Sequence, residues 1–339
     1  MKIQLMGYFD RNFGDDVMQL ILADGMPEHD FYVSCAQKEF LGHFSGHENV
    51  HSAEKLPEID AVVNVIGTGF LYRSRLAMVS KALSLLREKG FSSSRTAVLD
   101  CSADMPKMAL ERFFMGHDLK QYGLISCRDQ RSYQIMSELS KKSIVACHED
   151  LVFAVDQKLL SPKTGEGCLG IVPVYRLYSE RNYDYCVQLA KACDTYAEEQ
   201  QKKVLIFALD TGTENDLLSA MTIRRLMKHA DAAEIVPYDS KPEKIFSQMA
   251  RCSKIISSRF HGVIAAILAG VPVSAVSDTS KLDILSEKLG FERLPMEGTC
   301  AEQLTALINR TNQSVELPES VRKDAGAHLT ELRSYLERG

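Results

Sequence analysis

The hydrophobic positions of the chain form two alternating patterns. Short apolar runs rich in β-branched residues are separated by longer stretches in which apolar residues recur every three or four positions. This alternation is typical of βαβ units, which build a parallel sheet covered by helices on both faces. The pattern therefore predicts an α/β protein, and a complete series of such units occurs twice along the chain.

The first series predicts one doubly wound domain over residues 1–156. A helix is predicted over Arg75–Lys89, where the apolar positions recur with a helical period. The predicted strands of this domain are Lys2–Met6, Phe31–Cys35, Ala61–Ile66, Thr96–Leu99, Leu124–Ser126 and Ile144–Val145.

A stretch rich in Ser, Pro, Gly and charge, residues 157–167, predicts a linker to a second doubly wound domain over residues 168–316. Its predicted strands are Cys168–Val174, Val204–Leu209, Glu234–Val236, Lys254–Ser257 and Val273–Val276. Its predicted helices are Arg181–Glu199, Glu214–Lys228, Pro242–Arg251, His261–Ala269 and Lys281–Leu289. Residues 317–339 predict a C-terminal helix that can pack on either domain.

Two Rossmann-like domains in one chain predict a GT-B-like fold, in which both sheets point their carboxyl ends toward a shared cleft. Ligands of doubly wound sheets bind at the carboxyl ends of the strands. We therefore expect the chemistry of this protein at strand-to-helix junctions.

Composition narrows the class of protein. The 339 residues are 45% hydrophobic and 25% charged, and the formal net charge of −5 leaves no basic excess that would favour nucleic acid. The nine cysteines are odd in number and contain no C-x-x-C pair, which argues against a disulfide framework and a structural zinc site and indicates reduced thiols. The first residues are too quickly polar for a secretion signal, so we expect a cytoplasmic protein.

The junction after the predicted strand that ends at Ser257 carries two basic side chains. Ser258 is predicted to cap the following helix, which places Arg259 and His261 in its first turn, beside Gly262. Cations there oppose the helix macrodipole at a cost of about 0.3–1 kcal/mol each, unless a bound anion reverses the balance. The pattern predicts an anion site; the alternative is an arginine that pairs with a carboxylate and a histidine that only packs.

Arg128 is a second cation at a strand end. Its planar guanidinium suits a carboxylate or a phosphate, and the alternative is a surface pair with Asp129 or Glu149.

The N-terminal loop GYFDRNFGDD fits neither of the common glycine patterns that bind phosphate. Its Asp15 and Asp16 predict contacts with sugar hydroxyls, or plain capping of the helix that follows. The glycines around Thr68 predict a close backbone approach or a tight turn.

Four segments, in this order, resemble the polysaccharide pyruvyl transferases: GYFDRNFGDDVMQL, GTGFL, SCRDQRSYQIM and SSRFHGVIAAILAGVPVSAVSDTSKLDILSEKLG. The last is the most specific of the four, because it combines an Arg-x-His-Gly junction with a downstream lysine, Lys281. The sequence departs from the family pattern at Asp10, where glycine is common, and at Thr68, which replaces the middle residue of a triple glycine. These departures bear on the identity of the acceptor more than on the type of reaction.

The resemblance implies transfer of the enolpyruvyl carbons of phosphoenolpyruvate to two hydroxyls of a sugar, which forms a cyclic ketal and releases phosphate. Phosphoenolpyruvate is the donor substrate, and no further cofactor is implied. The acceptor would be a sugar of an exopolysaccharide or another cell-envelope polysaccharide, or of its lipid-linked precursor. A lipid-linked acceptor would bring the protein to the inner face of the membrane.

Roles for individual residues follow from the resemblance, with the donor on the second domain and the acceptor on the first. His261 is the hypothesised general acid, and Asp15 would orient or deprotonate an acceptor hydroxyl. Donor binding is assigned to Arg259, Arg128, Ser258, Gly262 and Lys281. Further acceptor or loop candidates are Asp16, Asn12, Gly14, Gly67, Gly69 and Arg176. A nucleotide-sugar-dependent glycosyltransferase and an inactive glycan-binding family member are the alternatives.

Overall fold

A computed structural model of the chain describes residues 1–34, 38–70, 95–175, 180–310 and 313–338. These residues divide into two compact units. Unit 1 comprises Met1–Phe9, Val17–Val155 and Glu319–Gly339, and unit 2 comprises Asp10–Asp16 and Asp156–Pro318. The helix predicted over Arg75–Lys89 lies outside the described residues.

Strands and helices alternate through both units. The strands are β1 (Lys2–Gly7), β2 (Asp30–Val33), β3 (Val50–Ser52), β4 (Ala61–Val65), β5 (Thr68–Phe70), β6 (Thr96–Ala103), β7 (Leu124–Cys127), β8 (Ile144–Cys147), β9 (Cys168–Val172), β10 (Val204–Ala208), β11 (Ala233–Pro237), β12 (Cys252–Ser257), β13 (Val273–Val276) and β14 (Arg293–Leu294). The helices are α1 (Phe13–Gly25), α2 (Ala109–Leu119), α3 (Gln130–Leu139), α4 (Glu180–Gln200), α5 (Leu217–Leu226), α6 (Pro242–Met249), α7 (Phe260–Leu268), α8 (Ser280–Leu289), α9 (Ala301–Asn309) and α10 (Glu319–Glu337).

Each unit contains a parallel sheet. The strand order is β3-β2-β1-β4-β6-β7-β8 in unit 1, with β5 paired to β6, and β11-β10-β9-β12-β13-β14 in unit 2. In both sheets the first three strands run outward in one direction, and the fourth returns beside the first. This is the Rossmann order, and it confirms the predicted fold class of two doubly wound α/β domains.

The central strands explain the unbroken apolar runs of the sequence. Every residue of β6, β7, β9 and β10 is buried, as expected for parallel strands covered by helices on both faces. Helix α7 is as apolar as these strands, and all of its residues from Gly262 to Leu268 are buried. No helix among the described residues is long and apolar enough to cross a membrane.

Every predicted strand is present, although β6 extends four residues beyond its predicted end. The elements β3, β5, β14, α2 and α9 were not predicted. The three strands among them have only two or three residues, too few to show a pattern.

The division into units differs from the predicted domains in two segments. Residues 10–16 belong to unit 2, where the backbone N–H of Phe13 donates to the carbonyl of Leu209 at 2.9 Å. The predicted linker, residues 157–167, is also part of unit 2. For the C-terminal helix the sequence left both domains open, and residues 319–339 belong to unit 1.

His328 attaches α10 to the rest of unit 1. The imidazole is completely buried, with Nδ1 2.7 Å from Oγ of Ser126 and Nε2 2.9 Å from the carbonyl oxygen of Glu149. A carbonyl can only accept, so Nε2 carries the proton and Nδ1 accepts from the Ser126 hydroxyl. Burial, together with the neighbouring His148, lowers the pKa of His328 to about 4.

We predict that acid destabilises unit 1 through His328. The pKa of the ring is 6.5 without its folded surroundings and about 4 in the fold, so the folded chain binds fewer protons between these values. The contribution of the neutral ring to the free energy of unfolding is complete above pH 6.5. About 3 kcal/mol of this free energy is lost as the pH falls through 4. The comparison is with His328→Gln, which keeps a donor for Glu149 but does not titrate.

In urea denaturation, the free energy of unfolding of the wild type should fall relative to that of His328→Gln between pH 6.5 and 4. A difference that stays constant over this range would show that His328 does not report on acid stability.

Candidate functional site

The N-terminal loop is attached to the loop that follows β10. Asn12 forms an isolated β-bridge with Asp210, and its Nδ2 donates to the Asp210 carboxylate at 3.0 Å. Oδ1 of Asn12 accepts from the backbone N–H groups of Gly14, at 3.0 Å, and Asp15, at 3.4 Å. Asn12 therefore caps α1 and holds its first turn in unit 2.

His261 is seated on the backbone of Gly14. A Cβ placed on Gly14 would lie 1.7 Å from Nδ1 of His261, so no side chain fits there while the imidazole keeps its position. His261 is half-buried at the second residue of α7, and its ring lies edge-on to Phe260 with the ring centroids 5.4 Å apart. The capped start of α1 thus sets the position of the predicted general acid.

Arg259, not the predicted Ser258, is the N-cap residue of α7. Its guanidinium donates through Nε at 2.9 Å and Nη2 at 2.5 Å to the two oxygens of Asp216, and through Nη1 to Glu214. The carboxylate pairing that the sequence left open as an alternative is therefore present. A two-point pair of this kind fixes both the position and the plane of the guanidinium.

Asp216 is completely buried and is held from two further directions. Its carboxylate accepts from the backbone N–H groups of Tyr175, at 2.9 Å, and Asp210, at 3.1 Å. Burial raises the pKa of Asp216, while the charge of Arg259 and these hydrogen bonds oppose the rise. Burial also lowers the pKa of Arg259, but Asp216 and Glu214 raise it by more, so the guanidinium stays charged.

Ser258 and Gly262 have packing roles. The backbone N–H of Ser258 donates to the carbonyl of Val172 at 2.8 Å, and its hydroxyl lies 2.7 Å from that of Tyr185. A Cβ on Gly262 would lie 2.5 Å from Oγ of Ser257 and 2.8 Å from Val172, so glycine lets α7 approach β9 and β12 closely. This contact accounts for the glycine of the Arg-x-His-Gly junction.

The two aspartates of the N-terminal loop have different surroundings. Asp16 is completely buried and accepts a 2.6 Å hydrogen bond from the Tyr238 hydroxyl, and its contact with an acceptor stays a prediction. Asp15 is half-buried in the first turn of α1, next to Gly14. Lys281 is half-buried in the first turn of α8.

Arg128 lies in unit 1, after β7, with only 5% of its side chain exposed. Nη1 donates to Asp150 at 2.8 Å and to Asp100 at 3.4 Å, and Nη2 donates to Thr68 at 3.3 Å. The partners are thus buried carboxylates rather than the predicted surface ones. This enclosure gives Arg128 a structural role in unit 1, and its contact with the donor stays a prediction.

Gly67 lies against the Arg128 guanidinium, since a Cβ there would be 3.0 Å from Nη1. A Cβ on Gly69, which lies in β5, would be 2.1 Å from Cδ1 of Ile66. The chain bends at Gly67, between β4 and β5, and the close approach that the sequence allowed is present at both glycines. Arg176 lies outside the described residues.

The four motifs of the sequence consequently meet in pairs. The Gly-Thr-Gly turn and the segment that contains Arg128 meet in unit 1, whereas the N-terminal loop and the Arg-x-His junction meet in unit 2. The second pair lies at the carboxyl end of β12, beside β9, where the strand order of unit 2 reverses. Ligands of Rossmann-like sheets bind at this point of the topology.

A sequence profile for polysaccharide pyruvyl transferase matches residues 37–280, which is most of the chain. The chain belongs to the polysaccharide pyruvyl transferase family. The matched region of this pyruvyl transferase family member includes Arg128, Arg259 and His261, but not the N-terminal loop that holds His261. Among curated protein sequences, none matches the chain.

The solved structures that resemble this family member include UDP-N-acetylglucosamine 2-epimerases. A putative UDP-N-acetylglucosamine 2-epimerase from Listeria monocytogenes has a TM-score of 0.61 and 11% identity, covering 100% of this chain and 97% of that one. The UDP-GlcNAc 2-epimerase from Neisseria meningitidis, bound to UDP-GlcNAc, has a TM-score of 0.59 and 10% identity, covering 100% of both chains. At this identity the likeness shows the fold alone, and it confirms the predicted GT-B-like class.

Sequence reasoning missed Asp100, Asp150, Asp216 and His328. Asp100 had a detectable signal, because it is the one charged residue in the strand TAVLDCSA. It lies where the register with β7 shifts, with φ at +59°, and accepts from the backbone N–H of Leu151 at 2.7 Å. Burial and the neighbouring Asp150 raise the pKa of Asp100, while Arg128 opposes the rise.

We predict that Gly14→Ala displaces His261. The new methyl group would overlap the imidazole, and such overpacking costs about 1–3 kcal/mol. Gly326→Ala in α10 is the matched control, because a Cβ there meets nothing within 4 Å and alanine favours a helix. Chemical denaturation of both variants tests this prediction, and unchanged stability in Gly14→Ala would show that His261 does not sit on Gly14.

We also predict that Arg128→Ala destabilises unit 1 by about 3–5 kcal/mol, because two buried carboxylates lose their counter-charge. Arg131→Ala, at an exposed arginine nearby, should change stability by less than about 0.5 kcal/mol. Denaturation of the two variants measures the difference. If Arg128→Ala kept normal stability but no longer bound the donor, this result would support the predicted donor-binding role of Arg128.

Proposed function

We propose that this family member is a phosphoenolpyruvate-dependent ketal pyruvyltransferase. Its acceptor would be a sugar of an exopolysaccharide or another cell-surface polysaccharide, or of a lipid-linked precursor. The observation that carries the proposal is the junction in unit 2, where Arg259 is oriented by Asp216 and His261 is seated on Gly14. Membership of the polysaccharide pyruvyl transferase family supplies the reaction class.

Arg259 is suited to bind the anionic donor. The contacts to Asp216 and Glu214 use three of its five N–H donors, and 17% of the side chain is exposed. The guanidinium stands at the N-terminus of α7, where the helix dipole also favours negative charge. A phosphate or carboxylate placed here would meet both attractions, whereas a neutral sugar would meet neither.

His261 would supply the proton that starts the reaction. Protonation of the methylene carbon of phosphoenolpyruvate turns it into a methyl group and leaves an oxocarbenium-like centre at the neighbouring carbon. One sugar hydroxyl adds to this centre and loses its proton. The C–O bond to phosphate then breaks, the second hydroxyl adds and loses its proton, and the products are the cyclic ketal and inorganic phosphate.

Asp15 is the proposed partner of the acceptor hydroxyl, since it follows Gly14, the residue on which His261 is seated. This assignment moves the acceptor contact into unit 2, whereas the sequence assigned it to the first domain. Lys281 stays a candidate for additional positive charge at the donor.

The test compares two donor classes by thermal stabilisation. Ligand binding to the folded state raises the melting temperature, so no acceptor has to be known. Phosphoenolpyruvate should stabilise the wild type and Arg251→Ala, and its effect should be lost in Arg259→Ala. Arg251 is a fitting control because it is also a partly buried arginine paired with an exposed glutamate in unit 2. Stabilisation by UDP-GlcNAc alone would instead favour the glycosyltransferase alternative.

We predict that His261→Ala loses turnover by about 10²–10⁴-fold while phosphoenolpyruvate still binds, because a general acid contributes this much to the rate. Turnover is measured as phosphate release from phosphoenolpyruvate in the presence of a panel of sugars and polysaccharides. His229→Ala, at an exposed histidine in the same unit, should keep full activity. Near-normal turnover of His261→Ala would exclude His261 as the acid.

A further inference from the structure

The two carboxylates that hold Arg259 differ in how firmly they are fixed. Asp216 is completely buried, contacts the guanidinium at two points and accepts two backbone hydrogen bonds. Glu214 has 58% of its side chain exposed and reaches only Nη1. The buried carboxylate is therefore a permanent part of the site, whereas the exposed one can leave without opening the core.

The backbone that carries Glu214 is itself firmly held. The N–H groups of Gly212 and Asn215 donate to Oδ1 of Asp210, at 3.0 and 3.2 Å, and that of Thr213 donates to Asp10 at 2.8 Å. A Cβ on Gly212 would lie 1.9 Å from the carbonyl oxygen of Asp10, so the two loops are in close contact. Departure of Glu214 from Arg259 thus needs only a rotation of its side chain, while the loop stays in place.

Nη1 is the part of Arg259 that an incoming anion can take over. Nε and Nη2 are occupied by Asp216, and the partner of Nη1 is the carboxylate at the exposed edge. A phosphate or carboxylate group offers the same charged oxygens as the glutamate, in the same charge-assisted hydrogen bond. The ligand and Glu214 would compete for this position.

We propose that Glu214 is a competing carboxylate that occupies the anion position of Arg259 until the donor displaces it. The inference rests on the proposed function, because it takes phosphoenolpyruvate as the incoming anion. Glu214 weakens the binding of phosphoenolpyruvate and, by returning to Nη1, favours the departure of inorganic phosphate after the reaction. Asp10 holds the loop that carries Glu214, because its carboxylate accepts from the backbone N–H of Thr213.

The experiment measures the affinity of Glu214→Gln for phosphoenolpyruvate and for inorganic phosphate by calorimetry. Glutamine keeps the size of the side chain but removes the charge that competes, so both ligands should bind about two- to fivefold more tightly, as expected for an exposed ion pair. The KM for phosphoenolpyruvate should fall by a similar factor, with no gain in kcat. A merely structural role for Glu214 would not produce this split.

Glu166→Gln is the matched control, because Glu166 is likewise an exposed glutamate on a partly buried arginine, Arg251, in the same unit. It changes the net charge equally and should leave both affinities unchanged. In an Arg259→Ala background, phosphoenolpyruvate binding should stay absent with or without Glu214→Gln. Binding that Glu214→Gln restored there would reflect a general effect of charge and not competition at the guanidinium.

Unchanged or weaker binding of phosphoenolpyruvate by Glu214→Gln, with normal binding by the wild type, would overturn this inference alone. If wild type and Glu214→Gln both failed to bind phosphoenolpyruvate and phosphate, the proposed function would fail and the inference with it. Tightening that appears equally in Glu166→Gln would also overturn the inference, because it would reflect net charge only.

Discussion

A buried carboxylate is costly unless a counter-charge or hydrogen-bond donors surround it, and Asp216 has both. Two backbone N–H groups and the fork of Arg259 surround it. The cost of leaving Asp216 unpaired keeps the guanidinium in one plane at the start of α7. The position of the arginine is therefore a consequence of burial, and the anion chemistry proposed for the site depends on that orientation.

Unit 1 meets the same constraint in a different way. Asp100 and Asp150 are buried there, and Arg128 supplies the counter-charge while its guanidinium lies against Gly67. The side chain of Arg128 is almost fully enclosed, whereas that of Arg259 keeps an exposed edge. The two arginines, each after the carboxyl end of a strand, thus have different surroundings. Arg128 stabilises a polar cluster, and Arg259 keeps the exposed edge at which we propose that the ligand binds.

Close backbone approach is the second constraint on the site. Gly14 lets the imidazole of His261 rest on the first turn of α1, and Gly262 lets α7 approach the sheet. Because Asn12 both caps α1 and binds Asp210, the same short loop joins the position of the histidine to the loop that carries Glu214. The proposed acid and the proposed anion position are therefore held by the same loop.

Much of the fold could be predicted from the sequence. Helix and strand periods are local properties, so the alternation of elements and the two Rossmann-like domains follow from the order of apolar residues. The Arg-x-His junction was found because cations in a first helical turn are unfavourable without an anion. The predicted cap differs from the observed one by one residue, because the Ser258 hydroxyl contacts that of Tyr185 and α7 begins after Arg259 without a side-chain cap.

The order of residues was sufficient to predict the elements, the family and the residue types at the strand ends. The folded structure was needed to establish which carboxylate faces which arginine, that His261 rests on Gly14, and that residues 10–16 belong with unit 2. These contacts join segments that are far apart along the chain, and the strand order of the folded sheet brings them together. The periodicity of apolar residues is a local property and therefore does not indicate which distant segments come into contact.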